Sequence, residues 1–208
     1  MLGYVPPARK RILEVGCAEG GFLASIPNAE ETWGIEPDPI AADIARTRLT
    51  KVIVGYFEDA ENMLPQGYFD VIVCNDVIEH MTDHDRFFDS IKRFLAPDGV
   101  IIGSLPNIRY HQNLLELLIL KDWHYRDAGV LDRTHLRFFT ERSLRNTLIG
   151  HGYQIERIDR INPMMRWRWS KWDIFYFLAG HALILATFGY FSDIRYPQLS
   201  FRARATPV

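Results

Sequence analysis

The sequence contains few cysteines. Only Cys17 and Cys74 occur among its 208 residues, and they form no C-x-x-C pair. This scarcity argues against a disulfide framework and a zinc knuckle, and no metal ligand set is predicted. No secretory signal is recognisable in residues 1–10, which are short and interrupted by proline. A reducing, cytoplasmic location is therefore expected.

An excess of positive charge is also missing. The chain has 24 Lys and Arg against 26 Asp and Glu, a formal net charge of −2. A protein that coats nucleic acid is normally strongly basic, so no nucleic-acid partner is expected. Internal repeats and low-complexity tracts are also lacking. The length suits a single domain, residues 1–208, with a sizeable core.

Apolar segments of strand and helix type alternate along the chain. Strands are predicted at residues 12–15, 32–36, 52–54, 69–74, 100–104, 153–161 and 198–205. Helices are predicted at 22–26, at 87–95 and at 114–120. Two more are predicted after the capping residues Asp38 and Thr140, and the first of these has an apolar stripe of Ile40, Ile44 and Ala45. Pro97-Asp98-Gly99 is expected to end the helix at 87–95. Such alternation indicates an α/β protein whose parallel sheet carries helices on both faces.

The organising segment is RILEVGCAEGGF, residues 11–22. A buried strand runs into a turn that carries Gly16, Gly20 and Gly21, and a short helix follows, which is typical of a nucleotide-binding corner. A dinucleotide fingerprint would have glycine at Ala18. Glu14 precedes the turn, and its carboxylate favours a cationic ligand over a pyrophosphate. The alternative is an ordinary glycine turn.

Polar residues follow the next three strands, where ligands of α/β sheets bind. Glu36, about twenty residues after the glycine turn, is placed to accept hydrogen bonds from two ribose hydroxyls, although a surface acid would look the same. The loop after the third strand offers an aromatic wall and an acceptor for an adenine amino group. The residues concerned in these three loops are Glu36, Pro37, Tyr56, Phe57, Glu58, Asn75, Asp76, Val77 and His80.

Several segments resemble the class I S-adenosylmethionine-dependent methyltransferases. They are ILEVGCAEG, WGIEPD, FDVIVCNDVIEHM, FLAPDGVIIGSLPN and GVLDRTHLRFFT, and the resemblance extends from Arg11 to about Ile161. The last segment is similar to a bacterial branch associated with sugar and cell-surface polysaccharide pathways and related to the ubiquinone-type O-methyltransferases. The resemblance implies a Rossmann-like, doubly wound, mostly parallel seven-stranded sheet with an antiparallel C-terminal strand.

The same resemblance implies S-adenosylmethionine as cofactor and S-adenosylhomocysteine as product. The turn residues Glu14, Gly16, Cys17, Ala18 and Gly20 would hold the methionine end. Glu36 and Pro37 would hold the ribose, and Tyr56, Phe57 and Glu58 the adenine. Asn75, Asp76 and Val77 would border the sulfonium, with His80 nearby.

The chain departs from the family pattern at three points. Ala18 replaces the usual middle glycine, and we expect it to be tolerated with a negative φ. Tyr56 stands where that branch commonly has aspartate, so Glu58 or Asp59 is the alternative adenine acceptor. Helices usually precede the first strand, so the chain is expected to cover its substrate by other means or to be truncated.

The catalytic candidates lie in the segment LDRTHLR, residues 131–137. His135 is the first candidate for the base that takes the acceptor's proton, with Asp132 as its orienter and Arg137 as a ligand for a substrate phosphate or carboxylate. His80 is second, and a structural histidine or a purely positional mechanism is the alternative. Trp123 and Tyr125, after the apolar helix at 114–120, would face the substrate, although the leucines also suit the core.

An insertion at about 162–197 separates the last two strands. It opens with RWRWSKW at 166–172, and 174–191 form an apolar run of 18 residues without Asp, Glu, Lys or Arg. A helical lid or homodimer contact is favoured over an interfacial membrane helix that meets a lipid-linked acceptor. A membrane span is disfavoured because it would separate the last strand from its sheet.

The sequence therefore predicts a methyltransferase that acts on a small acceptor, with an oxygen of a sugar or glycolipid precursor as first choice. A quinone-like or amine acceptor is the second enzyme hypothesis. A non-catalytic cofactor-binding or scaffolding protein is the rival from another class, and a dinucleotide oxidoreductase is weaker still.

Overall fold

A computed structural model describes residues 1–7, 10–163 and 171–206, without the side chains of residues 172 and 173. Seven strands form one sheet. They are β1 (Arg11–Val15), β2 (Glu31–Glu36), β3 (Lys51–Val54), β4 (Phe69–Asn75), β5 (Leu95–Pro106), β6 (Tyr153–Ile161) and β7 (Gln198–Ala205). All seven strands lie at the predicted places, and most of them begin or end a few residues away from the predicted bounds.

The strand order is β3-β2-β1-β4-β5-β7-β6. The first five strands are parallel, and β7 runs antiparallel between β5 and β6. The predicted mostly parallel seven-stranded sheet with an antiparallel C-terminal strand is therefore confirmed. The chain adds strands in one direction from β1 to β3 and then returns beside β1 with β4. A crevice opens at such a reversal, outside the carboxyl ends of the strands.

Seven α-helices connect the strands in the part of the chain that the structure describes. They are α1 (Gly21–Ala24), α2 (Pro39–Ala45), α3 (Phe57–Ala60), α4 (His84–Ile91), α5 (His111–Leu115), α6 (Glu141–Gly150) and α7 (Lys171–Ala186). Asp38 caps α2, since its carboxylate accepts the Ile40 N–H, and Thr140 caps α6 in the same way through Ser143. Both caps match the sequence prediction.

The central strands are apolar on both sides. In β4, Ile72 packs into one apolar cluster, whereas Val71 and Val73 pack into a second one. Ile101 and Ile102 of β5 separate in the same way. Because successive side chains of a strand point to opposite faces, both faces of the sheet are covered. This is the burial that a parallel sheet requires, and it fixes the strand ends that form the crevice.

Two expectations about helices were wrong. The helix after His84 ends at Ile91, a single 3-10 turn follows at Lys92–Phe94, and Leu95 already pairs with Phe69 as the first residue of β5. Pro97-Asp98-Gly99 therefore lies inside the irregular start of β5. In α2 the buried residues are Ala42 and Ala45, whereas Ile40 is 73 % exposed.

The insertion contains α7, which packs on α5. A Cβ on Gly180 would lie 3.2 Å from the Cβ of His111, so glycine permits the close approach of the two helices. The basic and aromatic residues 166–170 predicted to precede this helix lie outside the described residues. No helix in the described part of the chain is long and apolar enough to cross a membrane. The prediction against a span is consistent with this.

We predict that Gly34→Ala destabilises the fold. A Cβ at Gly34 would lie 2.4 Å from Sγ of Cys17 and 3.0 Å from Cδ1 of Leu49. Overpacking of this kind costs about 1–3 kcal/mol of unfolding free energy, measured by urea denaturation. Gly150→Ala is the matched control: no atom lies near its added Cβ, and because Gly150 belongs to α6 the alanine should be neutral or stabilise by up to about 1 kcal/mol. An equal effect of both substitutions would contradict the close packing of Gly34 against Cys17 and Leu49.

Candidate active site

A cavity of about 850 Å³ opens at the carboxyl ends of β1 to β4. Its volume falls in the range usual for small-molecule and cofactor sites. The lining residues are Val15, Gly16, Ile35, Glu36, Pro37, Gly55, Tyr56, Phe57, Glu58, Asp59, Asp76, Val77, His80, Met81, Thr82 and Thr134. The cavity therefore lies where the strand order reverses.

The glycine turn forms the floor of this cavity. Gly16 has φ +69°, and a Cβ there would lie 2.5 Å from Cγ2 of Val77 in the turn after β4. The N–H groups of Gly16 and Cys17 both donate to the carbonyl of Ile35. Only glycine permits this approach of the two turns, so the sequence pattern is explained by packing as well as by ligand access.

The backbone conformation of Ala18 corrects one expectation. Its φ is +46°, in the left-handed region, rather than negative. This conformation costs a non-glycine residue roughly 1–2 kcal/mol. The Ala18 N–H donates to Oε2 of Glu36 at 2.8 Å, and the Asp38 N–H donates to Oε1 at 3.0 Å. Glu36 thus ties the glycine turn to the end of β2 and compensates the strain.

Glu14 lies beneath the turn with 3 % of its surface exposed. Nδ2 of Asn75 donates to its Oε1 at 3.4 Å, whereas Oε2 of Glu14 and Oδ1 of Asn75 have no hydrogen-bond partner among the described residues. Burial raises the pKa of the Glu14 carboxyl to about 8. A buried acid with an unused oxygen is a place where a cationic ligand group gains most.

Nine of the predicted cofactor residues line the cavity. They are Gly16, Glu36, Pro37, Tyr56, Phe57, Glu58, Asp76, Val77 and His80. Glu14, Cys17, Ala18, Gly20 and Asn75 lie around it without lining it. Cys17 packs on Gly34 and Gly20 on Leu49, so these two residues support the turn from behind.

Met81, Thr82 and Thr134 are among the wall residues that the sequence analysis missed. Met81 and Thr82 follow the 3-10 turn Ile78–His80, and Thr134 belongs to the loop of His135. Their positions in the sequence could have indicated them, since Met81 and Thr82 come soon after a strand end and Thr134 adjoins the predicted catalytic residue His135.

A second cavity, of about 320 Å³, shares Asp76 and His80 with the first one. Glu79, His135, Pro106 and Gln198 are among its other lining residues. A third cavity of about 800 Å³ continues from it, because Gly129, Val130, Asn162 and Pro197 line both. Of the residues that line these three cavities in the described chain, none belongs to α7.

His135 faces the second cavity, but Asp132 does not orient it. Nδ1 of His135 contacts the carbonyl of Val130 at 3.0 Å. Oδ1 of Asp132 instead accepts from the N–H and the hydroxyl of Thr134, and this hydrogen bonding lowers the pKa of Asp132. The short Asp-Arg-Thr turn thus uses its acid as a cap, which corrects the predicted Asp132–His135 pair.

None of the three residues predicted to contact the substrate, Arg137, Trp123 and Tyr125, lines one of these three cavities. The guanidinium of Arg137 donates to the carbonyls of Thr82 and Leu136. Trp123 packs edge-on against Phe138, and Tyr125 is exposed. Arg126, which pairs with the buried Glu116, lines the third cavity.

Glu79 is the main functional candidate that the sequence analysis overlooked. Its side chain is 1 % exposed, and burial raises its pKa to about 8. Neither carboxylate oxygen has a hydrogen-bond partner in the described parts of the chain. A signal was available, since Glu79 directly precedes the candidate His80 in the turn that follows β4.

Comparison with known proteins identifies relatives of this chain. A family model described as a methyltransferase domain matches residues 1–158. A probable S-adenosylmethionine-dependent methyltransferase of Mycolicibacterium smegmatis is 30 % identical over 156 residues, covering 73 % of this chain and 60 % of the relative. A ubiquinone biosynthesis O-methyltransferase of Rickettsia canadensis is 24 % identical over 163 residues, 74 % of this chain and 67 % of that protein. The chain thus spans less than two thirds of the first of these relatives.

A similar fold is known from crystal structures. A SAM-dependent methyltransferase from Archaeoglobus fulgidus superimposes with a TM-score of 0.66 and 14 % identity, covering 94 % of this chain and 86 % of that one. At this identity the likeness concerns the fold alone.

The residues present fit S-adenosylmethionine. The unused oxygen of Glu14 and the glycine turn suit the cationic methionine end. Glu36 at the end of β2 suits a ribose, and the apolar wall of Tyr56, Phe57 and Met81 suits a purine.

Glu14 should make the stability of the protein depend on pH. Its folded pKa of about 8 lies above the ordinary value of 4.5, so the native state retains a proton that the unfolded state has lost. The unfolding free energy should therefore fall as pH rises from about 4.5 to about 8 and then level off. Glu14→Gln should reduce this fall and stabilise the protein at pH 8.5, by at most a few kcal/mol.

Urea denaturation between pH 5 and pH 9 measures this effect. Exposed Glu30→Gln is the control and should leave the slope of the parent protein unchanged. Parallel curves for the parent and Glu14→Gln would show that Glu14 is ionised in the folded state across this range.

Proposed function

The chain belongs to the class I S-adenosylmethionine-dependent methyltransferases, and from that premise we propose that it methylates a hydroxyl oxygen of a sugar or glycolipid precursor. One observation carries the proposal: Asp76 and His80 line both the large cavity at the glycine turn and the second cavity. A cofactor and an acceptor in these two cavities would meet at this shared wall.

In this proposal the chain's own residues bind and orient the two reactants. Glu14, Gly16 and Glu36 hold the cofactor. Asp76, Val77 and His80 stand between it and the acceptor. S-adenosylmethionine supplies a methyl group on a cationic sulfur, so one oxygen–carbon bond forms as the carbon–sulfur bond breaks, and the acceptor's proton is released. Proximity and alignment account for most of the acceleration that such a displacement needs.

The polar lining of the third cavity supports a sugar-like acceptor. Gln112, Asn113, Arg126 and Asn162 present amide and guanidinium groups there. Such groups pair with several hydroxyls at once, whereas a quinone ring offers few partners. Since relatives include an enzyme named for ubiquinone biosynthesis, a quinone-like acceptor remains the second candidate, with an amine acceptor beside it.

His135 is the group that we propose to act on the acceptor's hydroxyl. Its Nδ1 is held by the Val130 carbonyl, which can only accept a hydrogen bond. The proton of the neutral ring therefore lies on Nδ1, and Nε2 keeps its lone pair. Asp132 has no part in this arrangement.

Calorimetric titration tests the proposal. We expect S-adenosylmethionine and S-adenosylhomocysteine to bind with micromolar affinity and NAD not to bind. Glu36→Ala should weaken binding at least tenfold, because it removes the predicted ribose acceptor and the tie to Ala18. Exposed Glu30→Ala is the matched control and should bind like the parent.

Incubation with nucleotide sugars then measures release of S-adenosylhomocysteine. Binding of NAD alone would overturn the assignment of the glycine turn. Cofactor binding without turnover on sugar, quinone-like or amine acceptors would instead support a non-catalytic cofactor-binding protein.

We further propose that α7 and the end of α5 contact a membrane surface, where a lipid-linked acceptor is presented. Leu118 in the π-helical turn Glu116–Leu120, Leu185 in α7 and Phe188 after it are exposed. Exposed apolar side chains on two packed elements favour an interfacial contact. The RWRWSKW sequence, residues 166–172, adds the basic and aromatic residues typical of such contacts. The cytoplasmic location stays a proposal, supported by two free, buried cysteines.

Co-sedimentation with phosphatidylcholine–phosphatidylglycerol vesicles tests this contact. The parent chain should bind, and a triple variant Leu118→Ser, Leu185→Ser, Phe188→Ser should lose at least tenfold in affinity. A control triple variant at other exposed apolar residues, Ile40→Ser, Met63→Ser and Ile149→Ser, should bind like the parent. A dimer in light scattering that only the first triple variant dissociates, with no vesicle binding, would show a homodimer surface instead.

A further inference from the structure

We propose that Glu79, His80 and His135 form a binding site for a divalent transition-metal cation in the second cavity. The inference rests on the proposed function and refines it, since it states how the acceptor's oxygen is held. One ligand atom from each of the three side chains lies within 4.8 Å of the others.

The carboxylate of Glu79 is the first evidence. It is 1 % exposed and lines the cavity, yet both of its oxygens lack a hydrogen-bond partner among the residues that the structure describes. Burying an acid in this way is costly unless a cation or several donors compensate. No described side chain supplies them: the histidine nitrogens are near the carboxylate but form no hydrogen bond with it. The spacing leaves room for an ion between the three groups.

The two histidines are oriented as metal ligands usually are. Nδ1 of His135 lies 3.0 Å from the carbonyl of Val130, and Nδ1 of His80 lies 3.2 Å from the carbonyl of Thr134. Each carbonyl accepts the Nδ1 proton, which leaves the Nε2 lone pair of each ring for a cation. Backbone carbonyls behind the distal nitrogen are the common outer partners of metal-bound histidine.

The backbone holds the three side chains together. The carbonyl of Glu79 accepts the N–H groups of both Leu136 and Arg137, at 2.8 and 3.0 Å. These bonds tie the turn after β4 to the loop that carries His135, although 55 residues separate His80 from His135 in sequence. The imidazole rings of His80 and His135 consequently lie 4.8 Å apart, edge to face. The arrangement is thus built into the loops rather than made by freely moving side chains.

The donor set indicates the class of cation. Two imidazoles and one carboxylate suit Zn²⁺, Mn²⁺ or Fe²⁺, whereas Mg²⁺ and Ca²⁺ prefer oxygen ligands. Three protein ligands leave at least one coordination position, as in catalytic zinc sites. Glu79, His80 and His135 line the second cavity together with Asp76, so an acceptor placed in that cavity would be within reach of the cation.

A cation here would change the role of His135. The acceptor's oxygen would bind to the cation, which lowers the pKa of the hydroxyl, and its proton would pass to water. His135 would then hold the cation instead of taking the proton itself. The hydroxyl oxygen would be fixed next to His80, at the wall shared with the cofactor cavity.

Calorimetry on the full chain, freed of metal with a chelator, tests the site. We expect one Zn²⁺ per chain with micromolar or tighter affinity, weaker binding of Mg²⁺, and a rise in the melting temperature with Zn²⁺. Co²⁺ should give a visible absorption band. Glu79→Gln and His135→Gln should each weaken Zn²⁺ binding at least tenfold and abolish the cobalt band. Exposed His80→Gln provides a third variant if a buried substitution impairs folding.

His151→Gln is the matched control. His151 lies 2.9 Å from Asp85 and from Asp89 on the surface and is the rival place for a cation. Binding lost in this variant and kept in the other three would overturn the proposal, as would the absence of Zn²⁺ binding at 1 mM. S-adenosylhomocysteine binding is measured in parallel. If it is normal while Zn²⁺ does not bind, the metal site is wrong and the proposed methyltransferase stands; if it fails, the proposed function itself is wrong.

Discussion

The close approach of two turns determines the architecture of the site. Gly16 after β1 meets Val77 after β4 at a distance that leaves no space for a Cβ. This approach exists because β1 and β4 are neighbours at the point where the strand order reverses. It closes the floor of the large cavity and directs the chain after Val77 into the 3-10 turn of Glu79 and His80. The large cavity and the second cavity therefore share the wall formed by Asp76 and His80.

Two buried acids adjoin this wall: Glu14 accepts from Asn75, the residue before Asp76, and Glu79 directly precedes His80. Burial raises the pKa of Glu14 and of Glu79 to about 8, and among the described residues one oxygen of Glu14 and both oxygens of Glu79 have no hydrogen-bond partner. Neither arrangement helps the empty protein to fold, because an unpaired buried acid costs stability. Such groups are typical of places that a ligand completes. In our account, Glu14 serves the cationic end of the cofactor and Glu79 serves a cation that holds the acceptor.

Hydrophobic patterning predicted the sheet well, because strands such as β4 are apolar on both faces and bounded by clear turns. Hydrophobic patterning failed at Leu95, because the end of the predicted helix and the start of β5 are both apolar. Only the pairing of Leu95 with Phe69 in the sheet shows that this residue belongs to the strand. Motif spacing placed Glu36 correctly at the cavity. Motif spacing could not show that Ala18 is left-handed or that His135 meets Glu79, since these follow from contacts between loops far apart in sequence. The cap that Asp132 provides to Thr134 is local, and the Asp-Arg-Thr spacing was a signal for it that the analysis did not use.

A crystal structure of the chain with S-adenosylhomocysteine would test the central claim most directly. We predict that the ligand occupies the cavity over Gly16, with its ribose at Glu36, its amino group toward Glu14, and its sulfur toward the wall of Asp76 and His80. The second cavity should remain open beyond that wall. A ligand bound elsewhere, or a sulfur directed away from Asp76 and His80, would contradict the account of how the cofactor and the acceptor meet.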